Sequence, residues 1–250
     1  MEKQKGQHIL KNKEIIEEVQ KAEIVKTDKI IEIGAGPGNL TKEIAKKAKK
    51  VLVFEIDKNF ERDLNAVKEE NDNVEIFFGN AINFPWNGYN KIVANIPYYL
   101  SDQIIYKAIE YEEIKKIILV IGEKFKKSLL SKEKKSCVIA SLFYKIKPIK
   151  KIDKEDFYPA PKTDSWLVKL ERKKPSDKAE KILREVVKKR NKKIKNAIID
   201  SFTEEGKTKR QAKEKLSELN LYENILEKPV SRITGRLILR LKKEMQNRNI

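Results

Sequence analysis

Residues 29–40 read Lys29-Ile30-Ile31-Glu32-Ile33-Gly34-Ala35-Gly36-Pro37-Gly38-Asn39-Leu40. An apolar run of strand length enters a glycine-rich turn, and TKEIAKKAKK (41–50) follows as a helix. Glycines at such a turn let the backbone bend sharply and approach a ligand with no Cβ in the way. The spacing is G-x-G-x-G, not the G-x-G-x-x-G of dinucleotide-binding turns. By itself it leaves two readings open, a nucleoside-binding turn and a plain strand–helix connection. Further runs extend the pattern: VLVFEID (51–57), VEIFFGNAI (74–82), KIVANIPYYL (91–100) and IKKIILVIGE (114–123). Apolar strands spaced by helical segments predict a parallel sheet with helices on both faces. SCVIASLFYKIKPIKKI (136–152) divides into a helix and a strand, and SWLVKLERK (165–173) closes the sheet. Ile15, Ile16 and Val19 give residues 12–21 one apolar side, as in a short helix. The expected fold is Rossmann-like α/β, with a mostly parallel seven-stranded sheet.

After residue 171 strand-like runs stop. Ile182, Val186, Val187, Ile194, Ala197 and Ile198 recur at helical spacing. The expected division is an α/β domain over 1–171 and a small all-helical domain over 172–250. Lys and Arg number 56 against 38 Asp and Glu, a formal net charge of +18 in 250 residues. Residues 171–250 hold 24 of those bases and only 12 acids, so the helical part carries most of the excess. Such an imbalance predicts a polyanionic partner, and RNA phosphate contact is the expected use. The single cysteine, Cys137, excludes an intramolecular disulfide and reads as a core residue. No apolar run reaches the roughly 18 residues of a membrane span, and no apolar signal core opens the chain. A cytoplasmic monomer without metal is the expectation.

The ends of the strands carry the candidate site, since open α/β sheets bind ligands there. Glu55, with Asp57 as the alternative, can accept hydrogen bonds from both ribose hydroxyls of a nucleoside. Gly79-Asn80-Ala81 can reach the adenine of the same nucleoside. Asn95-Ile96-Pro97-Tyr98 is the most informative tetrapeptide. An exocyclic adenine amine is a poor nucleophile because its lone pair is delocalised into the ring. The Asn95 side-chain carbonyl and a nearby backbone carbonyl can accept its two hydrogens and aim its lone pair at an electrophilic methyl group. Pro97 stiffens that turn. Tyr98 offers a face for an extruded base, and Phe157 in FYPAPKTDS (157–165) can supply the opposite wall. Read singly, each has a plain structural alternative: a capping Asn, a packed Tyr, an aromatic in a proline loop.

Taken in order, GQHIL (6–10), EIGAGPGNLT (32–41), FEID (54–57), NIPYYLS (95–101) and FYPAPKTDS resemble the signatures of the ribosomal RNA adenine N6,N6-dimethyltransferases, the KsgA/Erm family. The resemblance covers residues 4–171. It implies the class I methyltransferase fold and S-adenosylmethionine held by His8, Leu10, Gly34, Glu55, Asn80 and Asn95, with Gly36 and Ala81 beside them. It implies catalysis at Asn95, Ile96, Pro97 and Tyr98, with Phe157 helping to hold the base. The family usually has Asn at the position of His8 and Asp at that of Asn80. Asp164 and the Lys189–Asn196 segment resemble the branch that modifies two adjacent adenines near the 3′ end of small-subunit RNA during ribosome assembly. Lys189, Arg190, Lys192, Lys193 and Lys195 are then the expected RNA contacts, in a pre-ribosomal particle. Four alternatives remain: the large-subunit Erm branch, a non-catalytic RNA-binding assembly factor or transcription factor on the same fold, a DNA adenine methyltransferase, and a small-molecule methyltransferase, for which the positive excess would lack a purpose.

Overall fold

The structure, a computed structural model, describes residues 8–12, 16, 17, 19, 24–95 and 100–248. The chain divides into two compact units, one of residues 1–127 and 145–172, the other of 128–144 and 173–250.

The first unit is built on seven strands: β2 (Lys29–Ile33), β3 (Lys50–Glu55), β4 (Val74–Phe78), β5 (Lys91–Asn95), β6 (Lys116–Gly122), β7 (Tyr144–Ile152) and β9 (Ser165–Arg172). Their order is β4-β3-β2-β5-β6-β9-β7. The pairs β4–β3, β3–β2, β2–β5 and β5–β6 are parallel. Strands β2, β3, β5 and β6 take central places because both faces are covered and their runs are nearly all apolar, whereas β4 lies at the edge with alternating buried and exposed residues. A two-stranded ribbon pairs β1 (Ile9–Leu10) with β8 (Phe157–Tyr158) antiparallel. The helices α1 (Asn39–Ala45), α2 (Glu61–Glu69) and α3 (Ser101–Ala108) follow β2, β3 and β5. Of the helix expected over 12–21, the described residues 16, 17 and 19 are helical, with Ile16 and Val19 buried. Ile15 lies outside the described residues.

SWLVKLERK does not close the sheet. As β9 it lies between β6 and β7, antiparallel to β6, with Gly122 opposite Ser165 and Lys116 opposite Glu171. The reason is burial on both faces: Leu167, Val168 and Leu170 are inaccessible to solvent. Strand β7 takes the edge instead. Its sequence YKIKPIKKI carries four lysines and a proline, which suit a strand with one unpaired side.

The second unit starts earlier in the chain than the change of composition at 171, because Ser128–Tyr144 belongs to it. Helix α4 (Glu123–Ser131) runs into it, and α5 (Lys135–Phe143) lies wholly within it. Seven of the nine residues of α5 are buried, Cys137 among them. A helix apolar nearly all round needs cover on several sides, and α6 (Lys178–Lys188) and α10 (Gly235–Asn247) provide it. Helices α7 (Ile194–Glu204), α8 (Lys209–Glu218) and α9 (Glu223–Leu226) complete the unit. At its centre Glu180 is fully buried yet satisfied by Lys173 at 2.9 Å, Arg184 at 2.9 Å and Lys242 at 2.6 Å. Burial pushes its carboxyl up, but the hydrogen bonds and charges of Lys173 and Lys242 outweigh that and hold it down at about 2. Among the described residues no helix is long and apolar enough to cross a membrane.

Candidate active site

Register brings the candidate residues together. Glu32 of β2 lies opposite Val53 of β3 and Val93 of β5. Side chains alternate along a strand, so Glu55 and Asn95, each two residues on, project to the same face as Glu32. Gly34 begins the turn at that level and donates its N–H to the Phe54 carbonyl at 2.8 Å. Strand β2 is followed by β3 on one side, while β5 flanks it on the other. The site therefore sits where the strand order reverses, the usual crevice of an open parallel sheet.

The glycine turn is held by Glu55. Its Oε2 accepts the Gly36 N–H at 2.7 Å, and its Oε1 accepts those of Ile56 at 2.8 Å and Asp57 at 2.9 Å. A carboxylate has about four acceptor positions, so this one retains a lone pair on Oε2. Asp57 is occupied differently: it caps the short helical turn at 58–60 by accepting the Asn59 N–H at 2.9 Å. Two glycines are required for separate reasons. Gly36 has φ 55°, and a Cβ there would meet only the Ile9 side chain, at 3.8 Å, so the space above it is open. Gly38 has φ 84° at the start of α1, and a Cβ would lie 2.9 Å from Val67 and 3.2 Å from Leu64 of α2.

At the end of β4, Asn80 is exposed and caps the turn 81–83, its Oδ1 accepting the Ile82 N–H at 3.0 Å. An aspartate would make the same bond, so the turn tolerates either residue. Ala81 is buried and its carbonyl accepts the Trp86 indole N–H at 3.1 Å. Lys107 of α3 fastens this loop, donating to the carbonyls of Ile82 and Phe84 and standing 5.0 Å from the Trp86 ring centre. Burial lowers its pKa. Nothing in the local sequence marks Lys107, whose partners lie more than twenty residues away.

Asn95 faces the crevice. Its Nδ2 donates to the His8 carbonyl at 3.1 Å, and among the described residues its Oδ1 accepts no hydrogen bond. His8 in turn has Nδ1 2.7 Å from the Pro159 carbonyl. Leu10 accepts the Asn39 side-chain N–H at 3.2 Å. The ribbon of β1 and β8 thus lies over the glycine turn and links three motifs distant in sequence. Ile96, Pro97 and Tyr98 lie outside the described residues. Phe157 is only 3% exposed and belongs to the core cluster of Leu10, Ala35 and Ile152, whereas Tyr158 is 66% exposed with Lys11 Nζ 5.1 Å from its ring centre. Asp164 anchors the loop that follows, accepting from Lys151 at 2.7 Å and from the Lys154 N–H at 3.2 Å. The Lys151 bond lowers its pKa.

Glu32 is an acid within an otherwise apolar parallel strand, a signal of a special role that the sequence itself carries. It is 1% exposed, and among the described residues neither carboxyl oxygen has a hydrogen-bond partner of good geometry. Burial raises its pKa from 4.5 to about 8, opposed only in part by the nearby Thr41 hydroxyl and aided by the charge of Glu55. Four of the five helical candidates are paired within the second unit. Lys189 pairs with Glu204 at 2.7 Å, Lys192 with Asp200 at 2.5 Å and Lys193 with Glu227 at 2.7 Å, and Lys195 shares Glu227. Lys193 and Lys195 hold the Glu227 carboxyl down at about 2. Arg190 accepts the Ser231 N–H at its carbonyl. Among the described residues no cluster of three or more His, Cys, Asp or Glu is arranged to hold a metal.

The family profile described as ribosomal RNA adenine dimethylase matches residues 1–237. A probable ribosomal RNA small subunit methyltransferase A of Methanococcus maripaludis strain C6 is 35% identical over 249 residues, covering 92% of this chain and 94% of its own. A dimethyladenosine transferase from Plasmodium falciparum superposes with a TM-score of 0.65 at 25% identity, covering 97% of this chain and 99% of that one. The 23S rRNA methyltransferase ErmE gives the same TM-score at 20% identity over 95% of this chain and 99% of its own, a likeness of fold. With the profile spanning nearly its whole length and a third of its residues shared with a full-length relative, this chain belongs to the ribosomal RNA adenine dimethylase family.

Proposed function

We propose that the chain transfers methyl groups from S-adenosylmethionine to N6 of two adjacent adenines near the 3′ end of small-subunit ribosomal RNA, in a cytoplasmic pre-ribosomal particle, acting as a monomer. One observation carries this reading: Asn95 stands at the strand-order reversal with its Oδ1 open toward the crevice, level with Gly34 and Glu55. The crevice fits the cofactor. Open space lies over Gly36, an orphaned carboxyl at Glu32 forms the floor, and Glu55 keeps a lone pair for a ribose hydroxyl. Gly34 and Gly36 allow close backbone approach. Asn80 and Ala81 take the adenine end, and His8 and Leu10 cover the crevice from β1.

Bound there, S-adenosylmethionine supplies a methyl group made electrophilic by its sulfonium. The chain supplies orientation. Asn95 Oδ1 accepts one N6 hydrogen of the target base, and a backbone carbonyl of the Asn95–Tyr98 turn accepts the other. Two acceptors on the amine draw its lone pair out of conjugation and fix its direction, and no strong base is needed, because N6 becomes acidic only on methylation and then sheds its proton to water. Tyr98 stacks on the base, and Phe157 supports the ribbon beside it. Asn95 keeps its bond to His8 throughout, so its amide cannot rotate away from the base. The small-subunit assignment rests on the 35% identity to a relative of that name, whereas the large-subunit enzyme is alike in fold alone. The test is mass spectrometry of small-subunit RNA after incubating unmethylated particles with the protein and cofactor. N6,N6-dimethyladenine at two neighbouring positions supports the reading; methylation confined to large-subunit RNA, or none, overturns it.

A further inference from the structure

We infer that Tyr158 holds a second base: the nucleotide beside the target adenine stacks on its ring while the target occupies the crevice. The inference deepens the RNA-methylating reading above and rests on it. Tyr158 is exposed although Phe157, the preceding residue, is buried. Register explains the difference. Leu10 lies opposite Phe157 in the β1–β8 ribbon, and both belong to the core cluster. Ile9 lies opposite Tyr158, and directly opposed residues share a face. That face looks onto the glycine turn, because the Ile9 side chain stands 3.8 Å from where a Gly36 Cβ would be. Tyr158 therefore emerges on the crevice side of the ribbon.

Its distance from the reacting group fits one nucleotide step. Asn95 donates to the His8 carbonyl at 3.1 Å, and Ile9 follows His8. Tyr158 is thus one residue along and one strand across from His8, about 6–7 Å between Cα atoms. The segment carrying the ring is tied on both sides. The Pro159 carbonyl lies 2.7 Å from His8 Nδ1, and the Asp156 carbonyl accepts the Lys11 N–H at 2.8 Å. Lys11 Nζ stands over the ring, 5.1 Å from its centre, a cation–π contact that backs one face and leaves the exposed face to a base. Lys11 is itself exposed, so its charge is placed to meet the phosphate between the two nucleotides. Stacking needs a π-face and no particular edge groups, so the ring accepts an adenine before or after methylation. Two adjacent adenines can then take turns, one in the crevice and the other on Tyr158.

The test uses unmethylated small-subunit particles assembled on RNA with a synthetic 3′ segment. One of the two adenines is kept as the target, and the other is replaced by guanine or by an abasic nucleotide; a second pair of particles exchanges the two positions. Transfer from labelled S-adenosylmethionine gives KM for each particle. For the wild-type protein, losing the neighbouring base should raise KM roughly 5- to 100-fold in at least one pair, the range for removing one base–aromatic stack. Tyr158→Ala should already show the high KM on the guanine particle of that pair, and the abasic change should then add less than about twofold. Tyr158→Trp should restore the wild-type pattern. Equal abasic penalties in wild type and Tyr158→Ala, no penalty in either, or a wild-type KM in Tyr158→Ala each overturn the inference. No transfer by the wild-type protein to particles carrying both adenines would overturn the catalytic reading itself, and the inference with it. Circular dichroism confirms that each variant is folded.

Discussion

Replacing Glu32 with glutamine should make the protein more stable at neutral pH. The carboxyl is inaccessible, has no hydrogen-bond partner of good geometry among the described residues beyond the nearby Thr41 hydroxyl, and carries a pKa raised from 4.5 to about 8. At pH 7 the unfolded chain holds this group ionised, whereas the folded chain holds it protonated. Folding therefore takes up a proton, and each pH unit above 4.5 costs about 1.4 kcal/mol until the folded pKa is passed. At pH 7 the accumulated cost is roughly 3 kcal/mol, an order-of-magnitude figure. Glutamine is neutral in both states and nearly the same shape, so Glu32→Gln removes the pH-dependent part and leaves the packing. Urea unfolding at pH 5, 6, 7 and 8 measures it. The gain should be small at pH 5 and grow steadily toward pH 8. Equal stability at every pH, or a loss on substitution, would refute the reasoning, because it would mean that the carboxylate is matched by a partner in the folded protein.

Glu180→Gln should act in the opposite sense. Its carboxyl is held at about 2 by Lys173 and Lys242, so the stability it gives is complete above the ordinary carboxylate pKa and fades as pH falls toward 2. Removing one member of a buried charged cluster costs about 3–5 kcal/mol. Urea unfolding at pH 7 should show that loss, and a difference below about 1 kcal/mol would contradict the cluster's role. Gly38→Ala should destabilise more than Gly88→Ala. Both have positive φ, but an added Cβ at Gly38 meets Val67 at 2.9 Å, while at Gly88 nothing lies within 4 Å. Thermal unfolding ranks the two, and equal losses would mean that α2 shifts to make room.

The parallel strands were legible because β2 to β6 are apolar runs of the right length, each bounded by turn residues or by a helical segment. The position of β9 was not, since hydrophobic period says which faces are buried but not which neighbours a strand takes. Only the lysines and proline of β7 hinted at the edge. Helix α5 was recognised as a helix, yet its membership of the second unit depends on α6 and α10 covering it, a relation across distant residues. The strand-end residues Gly34, Glu55, Asn80 and Asn95 were legible as a set because the fold brings successive strand ends to one edge. Their links to His8 and Pro159 were not, because the β1–β8 pairing joins segments almost 150 residues apart. The pairing of the lysines at 189–195 was not legible either, because the acids that meet them stand on α7 and just beyond α9.

The central claim is that Asn95 aims an adenine amine at the methyl donor. Asn95→Ala, assayed with unmethylated small subunits and labelled S-adenosylmethionine, tests it most directly, alongside cofactor affinity by calorimetry. The account predicts a fall in methyl transfer of about a hundredfold or more, with the cofactor still bound. Undiminished transfer by Asn95→Ala would contradict it.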